Sequence, residues 1–271
     1  MIYFSSCKIN IGLKIVNKRD DGFHNLETIF YEIPLYDVIE ILPSPTFNFI
    51  STGLNIPQNG KDNLCVMAYK LLKNAFPKLP NVAIYLHKII PAGAGLGGGS
   101  ANAATVLKAL NKQFNLGASQ AQLLNMALQL GSDCPFFIYN GACIGKGRGE
   151  ILTPVILPLQ NYFIHIINPA IHINTSQAFA QINTNANINF YADTIINTPI
   201  KNWKNIVFND FENGVFAQHP TIESIKNTLY AQGALYASMT GTGSTVYGIF
   251  KTEIPLYNWP KNYMQITKKL L

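Results

Sequence analysis

The sequence predicts an α+β protein of two lobes, on three observations. Strand-like alternation dominates the first 90 residues, and a glycine-rich connection at 91–104, "PAGAGLGGGSANAA", then leads from a strand into a helix. The chain changes character around "GKGRGEILTPV" and begins a second set of strands and helices. At 271 residues and 48% hydrophobic content it can bury a substantial core, in one large domain or two small ones. The boundary falls softly at 150–158, giving lobes at 1–153 and 154–271.

Residues 8–16, "KINIGLKIV", place Ile9, Ile11, Leu13 and Ile15 on one face and Lys8, Asn10, Gly12 and Lys14 on the other, the pattern of a half-buried strand. "NKRDDGF" supplies turn residues, and "HNLETIFYEI" and "YDVIEIL" read as two further strands. "VAIYLHKII" (82–90) is another, ended by Pro91. Beyond the glycine run, Ala103, Val106, Leu107, Leu110 and Phe114 recur at helical spacing, with Ser100 in position to cap the helix. A second helix fits 119–130, capped by Ser119 and closed by Gly131. The second half reads as the strand "YFIHIIN", an Asn-rich polar stretch at 183–202, a helix at "TIESIKNTLYAQG", and a strand "STVYGIF" that follows a Gly-Thr-rich turn.

The net charge is +6 and the pI near 9.0, yet only 13% of residues are charged, so the basic excess is thin. Its longest clusters, Lys18-Arg19 and Lys268-Lys269, are too short for a nucleic-acid-binding arm. A mild positive field suits an anionic small molecule. Cys7, Cys65, Cys134 and Cys143 have no metal-ligand spacing and the five histidines are scattered, so no metal site is predicted. The N-terminal segment lacks the features of a signal peptide, and no apolar run approaches the roughly 20 residues of a membrane span. The expectation is a soluble, cytoplasmic protein with no nucleic-acid or membrane partner; the sequence sets no oligomeric state.

Five glycines in the seven positions 93–99 ask what lies against them. A glycine-rich strand-to-helix connection lets backbone N–H groups approach a ligand and adds the positive end of the helix dipole, which suits phosphate. Gly93, Gly95 and Gly98 fit the dinucleotide spacing G-x-G-x-x-G, but no carboxylate occurs between Asp62 and Asp133 to hold a ribose, so only a 2′-phosphorylated cofactor would fit. The P-loop is excluded, because Gly99, Ser100 and Ala101 follow Gly98 and the next lysine is Lys108. A close helix–strand crossing with no ligand is the remaining alternative, at about 0.5–1 kcal/mol for each glycine held.

P-x-x-x-G-L-G-G-G-S at the start of a helix resembles the phosphate loop of the GHMP kinases, the family of galactokinase, homoserine kinase and mevalonate kinase. "CKINIGL" resembles that family's first motif and "MTGTGSTVYGIF" (239–250) its C-terminal glycine motif, in the family's order over nearly the whole chain. The resemblance is strongest to members whose acceptor alcohol is cytidine diphospho-methylerythritol, from the non-mevalonate route to isoprenoid precursors. It rests on "KINIGLKIVNKRDDGFHNLETIF", "AGAGLGGGSANAATVL", "GSDCPFFIYNGACIGKGRGE", "NPAIHINTSQAF" and "NDFE". Ala101, Phe23 and Cys134 depart from that pattern, standing where serine, tyrosine and valine are common. The resemblance implies an N-terminal lobe like the second domain of ribosomal protein S5, a ferredoxin-like α/β C-terminal lobe, ATP and Mg²⁺ as cofactors, and both substrates in the cleft between the lobes.

It also implies site residues. Pro91, Ala92, Gly93, Ala94, Gly95, Leu96, Gly97, Gly98, Gly99, Ser100 and Ala101 would cradle ATP, with Asn63, next to Asp62, near the adenosine. Asp133 is the only carboxylate between Asp62 and Glu150; its local sequence fits a cap or turn aspartate, whereas the resemblance makes it the catalytic base. Lys8 would be its partner, able to stabilise charge growing on the attacking oxygen. Asn10, Phe23, His24, Phe179, Thr240, Gly241 and Gly243 would serve the acceptor, with Phe23 and Phe179 flanking the cytosine and His24 at its edge. Read alone, the two phenylalanines are core residues, His24 is a structural histidine and the glycine pair is a tight turn. Another small-molecule kinase of the family, or an RNA-binding protein built on the same N-terminal domain, are the alternatives.

Overall fold

A computed structural model describes residues 1–56, 62–139, 141–182 and 192–270. In chain order the elements are β1 (Ile2–Lys18), β2 (His24–Pro43), β3 (Asn48–Gly53), α1 (Leu64–Ala75), β4 (Val82–Lys88), α2 (Gly98–Gln113) and α3 (Gln120–Leu130). A 3₁₀ turn at Cys134–Phe137 precedes β5 (Ala142–Lys146), β6 (Ile151–Val155), β7 (Phe163–Asn168), α4 (Thr175–Ala180) and α5 (Ala192–Asn197). After a second 3₁₀ turn at Ile200–Asn205 come α6 (Glu212–Gln218), α7 (Pro220–Ala231), β8 (Tyr236–Met239), β9 (Val246–Phe250) and β10 (Met264–Lys269). Two compact units emerge, one of residues 1–8, 35–92 and 97–140, the other of 9–34, 93–96 and 141–271. β1 and β2, which pair with each other, contribute residues to both.

In the first unit β4 lies between β2 and β3, antiparallel to residues 38–43 of β2 and parallel to β3. Ile39, Ile41, Ile84 and Leu86 are buried from the sheet, and Val66, Leu72, Val106, Leu107 and Leu110 from α1 and α2. The helix over 119–130 is present as expected: Ser119 accepts from the N–H of Gln122, whose side chain takes the N–H of Ser119 in return, and Gly131 ends it. The cap expected for α2 is corrected. Gly97, at φ +67°, is the N-cap and no side chain caps the helix, so Ser100 stands inside its first turn.

In the second unit β5 pairs with residues 28–30 of β2 and with β6. A separate antiparallel sheet runs β10-β7-β9-β8, with Leu13, Ile15, Ile167, Phe211, Ile222, Ile225, Leu229 and Val246 in its core. This sheet and α7 form the ferredoxin-like lobe. The stretch between β9 and β10 contains no helix; Pro255 and Pro260 interrupt it.

Two strand expectations are corrected. The two strands read from 24–42 are one, β2, because Pro34 lies between the stretch that pairs with β5 and the stretch that pairs with β4, where its missing N–H costs neither ladder a bond. The half-buried strand at 8–16 is buried on both faces through Leu13, Lys8 being 3% and Asn10 2% exposed. Its polar residues are tolerated there because each has partners, described below. Of the Asn-rich stretch, 183–191 lies outside the described residues.

Candidate active site

Alternation along β1 turns Lys8 to the side opposite Ile9. In the first unit its ammonium stands 3.6 Å from a carboxylate oxygen of Asp133, the lysine side chain 4% and the aspartate 35% exposed. Asp133 lies in the turn its local sequence suggests, at the N-cap position before the 3₁₀ turn, but its side chain makes no capping hydrogen bond. Its carboxylate is therefore paired with a cation on one side and open to solvent on the other. A partly exposed carboxylate held by a buried lysine is suited to accept a hydrogen bond from an alcohol, and the lysine to oppose charge growing on that oxygen.

Gly97 stands over this pair. A Cβ there would lie 3.2 Å from Cε and Cγ of Lys8 and 3.2 Å from the Phe137 ring, in a backbone conformation that side chains rarely adopt. Gly99 differs: a Cβ would meet only Leu64 at 3.8 Å. Leu64 opens α1, whose N-cap Asn63 accepts the N–H of Cys65 at 2.9 Å and is 7% exposed, so the first turns of α1 and α2 meet. Ser100 hydrogen-bonds the Cys134 side chain, and burial pushes that thiol up to about 12, so it stays protonated. Pro91 is half-buried, Ala92 exposed and Ala101 buried against the helix packing.

In the second unit Asn10 is a hub. Its backbone N–H donates to the Thr240 hydroxyl at 3.0 Å, its Nδ2 donates to Thr28 at 3.0 Å, and its Oδ1 accepts the Gly241 N–H at 3.0 Å. Tyr247 donates its hydroxyl to the Asn10 carbonyl at 2.8 Å. Thr240 donates to the Gly95 carbonyl at 3.1 Å, and a Cβ on Gly95 would run into the Thr240 carbonyl. Asn209 closes the turn by donating to the carbonyls of Met239 and Gly241, both at 2.9 Å. Gly241 at φ +57° and Gly243 at φ +96° take conformations open to glycine. The segment Gly93–Leu96 and the turn 240–243 are thus tied together through Asn10 and Thr240. Both side chains are buried in holding the backbone, with Leu96 and Ala94 buried beside them.

The three ring residues do not form an empty slot. His24 stacks on Phe179, centroids 4.9 Å apart and planes 23° from parallel, while Phe179 meets Phe211 edge-on at 4.8 Å. Burial and the nearby Lys18 push the His24 imidazole below its usual range, toward the neutral form. Phe23 is 52% exposed, with the Arg148 guanidinium 4.6 Å over its ring. Arg148, Asn209 and Thr28 were missed as contributors, although all three lie in stretches already singled out, "GKGRGE", "NDFE" and "HNLETIF".

Among the described residues no three His, Cys, Asp or Glu side chains converge on a metal position, and no helix is long and apolar enough to cross a membrane. The family model for the GHMP kinases N terminal domain matches residues 63–141, and that for GHMP kinases C terminal matches 195–257. The chain is 47% identical over 268 residues, 97% of both chains, to the 4-diphosphocytidyl-2-C-methyl-D-erythritol kinase of Bacteroides thetaiotaomicron. It is 48% identical to that of Bacteroides fragilis, over 93% of each. A crystal structure of 4-(cytidine 5′-diphospho)-2C-methyl-D-erythritol kinase superposes with TM-score 0.80 at 29% identity, covering 92% of this chain and 90% of that one. The Methanococcus jannaschii mevalonate kinase superposes at 0.70 with 16% identity over 92% and 90%, a likeness of fold alone.

Glycine-loop scaffold, lysine–carboxylate pair and relatives define a small-molecule kinase. The chain belongs to the GHMP kinase family.

Proposed function

We infer that the chain transfers the γ-phosphoryl group of ATP to the 2-hydroxyl of 4-diphosphocytidyl-2-C-methyl-D-erythritol. One observation carries this reading: identity of 47% across 97% of both chains with a relative of that name. The homoserine and mevalonate kinases, at 15–18% identity, share the fold without bearing on the acceptor.

Within the loop 91–101, backbone N–H groups of 92–100 bind the triphosphate, aided by the positive end of α2; Pro91 has no N–H and that of Ala101 is held by the Gly97 carbonyl at 2.9 Å. Asp133 orients the acceptor hydroxyl and takes its proton, and Lys8 keeps the carboxylate in place and stabilises the developing alkoxide. Phe179, Phe23 and His24 hold the cytidine, with Asn10, Thr240, Gly241 and Gly243 shaping the phosphate side of the acceptor. Asn63, committed as a cap, sets the start of α1 beside Gly99. The lobes of this reading are 1–153 and 154–271.

Mg²⁺ fits the donors present: the open Asp133 carboxylate and the Ser100 hydroxyl are the oxygen ligands at hand, few enough for an ion that keeps its waters and binds mainly to phosphates. When bound, Mg²⁺ would neutralise charge on the transferring phosphoryl group. All four cysteines are free and buried, consistent with a reducing cytoplasm.

The test is steady-state ADP release with this cytidine alcohol, homoserine and mevalonate offered in turn. The reading predicts turnover with the first alone. Turnover with either of the others and none with the first would move the chain to another acceptor, and salt-sensitive RNA binding without ADP release would remove it from the kinases.

A further inference from the structure

We propose that Asp37 is a positioning residue for the ATP loop, clamping the entrance and the exit of the glycine run with a single buried carboxylate. The proposal rests on the ATP-dependent reading above and concerns residues that reading does not use.

Asp37 lies in β2 with no exposed surface. Its Oδ1 accepts the N–H groups of Ile89 and Ile90, at 2.6 and 2.8 Å, the last two residues before Pro91. Its Oδ2 accepts Nδ2 of Asn102, in the second turn of α2, at 2.9 Å, and pairs with the Lys88 ammonium. The same Asn102 amide also donates to Ser5 at 3.0 Å. Four donors thus occupy the acceptor capacity of one carboxylate. Three come from residues 88–90, which lead into the loop, and one from the helix that leaves it.

Lys88 extends the clamp to the loop's last glycines. Its Nζ lies 3.0 Å from the position of a Cβ on Gly98, and the Ile90 side chain lies 2.9 Å from it. Gly98 is bare because this ammonium packs beneath it. Burial pushes the Lys88 pKa down while Asp37 opposes the shift, as for a cation kept charged in a dry place by one counter-ion.

A buried ion pair is a poor way to gain stability, since apolar residues of the same volume serve as well. It does fix geometry, because four directional bonds converge on one group. A cradle of backbone N–H groups acts on phosphate only if its donors are aimed before the nucleotide arrives. Between Ile90 and Gly98 run seven residues, three of them glycines that leave the backbone loose. Tying both ends to one carboxylate removes that freedom in advance and lowers the entropy lost on binding.

The test measures ATP affinity by calorimetry, KM for ATP and for the acceptor alcohol, and melting temperature. Asn102→Leu removes the bonds to Asp37 and to Ser5 without changing charge. It is expected to weaken ATP by about tenfold, the loss of one hydrogen bond to a charged group, and to leave the acceptor KM within about twofold. Asp37→Asn is expected to weaken ATP further and to lower the melting temperature, because Lys88 is left without its counter-ion. Adding Lys88→Met to it should recover the melting temperature but not the ATP affinity. ATP affinity within about twofold of the parent in Asn102→Leu, or an equal rise in both KM values, would overturn the clamp as no more than a packing feature. A parent protein that binds no ATP would instead overturn the kinase reading and the clamp with it.

Discussion

The imidazole of His24 lies on the ring of Phe179, 4.9 Å between centroids. A pyrimidine that stacks on this face of Phe179 must therefore displace His24, which is then released to bond the base's edge. Phe179→Ala removes the plate, and we predict that it weakens the cytidine substrate by about 1–3 kcal/mol, the range for base–aromatic stacking. Steady-state KM for the alcohol measures this; an unaltered KM would return Phe179 to a packing role against Phe211.

Asp133→Asn keeps the shape of the side chain and abolishes its basicity. We predict a fall in kcat of about 10² to 10⁴ with the fold intact by circular dichroism. Near-normal turnover would leave the carboxylate without a part in proton transfer.

Two glycines of the loop separate the demands of protein and ligand. Gly97→Val places side-chain atoms against Lys8 and Phe137 in a left-handed backbone, so it should lower both stability and ATP affinity. Gly99→Ala finds room on the protein side, with Leu64 at 3.8 Å, and lies in a helical turn where alanine gains about 0.5–1 kcal/mol over glycine. It should melt no lower than the parent and still bind ATP more weakly. Unchanged affinity measured by calorimetry would mean that phosphate does not approach Gly99.

His165, buried in β7 and bonded through Nδ1 to Thr267 at 2.7 Å, has its pKa pushed down by burial to about 4. The unfolded chain takes up its proton near pH 6.5, the folded one only near 4. Below pH 6.5 protons therefore favour the unfolded state, and stability is lost progressively as pH falls toward 4. Urea unfolding should show a loss of about 2 kcal/mol between pH 7 and 4.5 that is absent in His165→Phe. Equal pH slopes for parent and variant would contradict this.

Local patterns were legible where the partner was local or apolar. Ser119, Gln122 and Gly131 specify α3 within a dozen residues, and Ile9, Ile11, Leu13 and Ile15 mark β1 by period alone. Lys8 and Asp133 could be paired by resemblance, and the structure brings them together. The burial of β1's second face was not legible, because the partners of Asn10 lie at Thr240 and Gly241, some 230 residues away. Asp37 was not singled out for the same reason, since its donors come from 88–90 and 102. Ser100 was misread as a cap because short hydroxyl residues favour that position, whereas the tight exit from the loop demanded a glycine in a left-handed conformation.

Product analysis tests the central claim most directly. The protein is incubated with ATP, Mg²⁺ and 4-diphosphocytidyl-2-C-methyl-D-erythritol, and the alcohol is recovered for mass spectrometry and phosphorus NMR. The account predicts a gain of about 80 Da, one PO₃H unit, with the new phosphorus coupled to carbon 2 of the methylerythritol. Recovery of the alcohol unchanged, or phosphorylated at another oxygen, would contradict it.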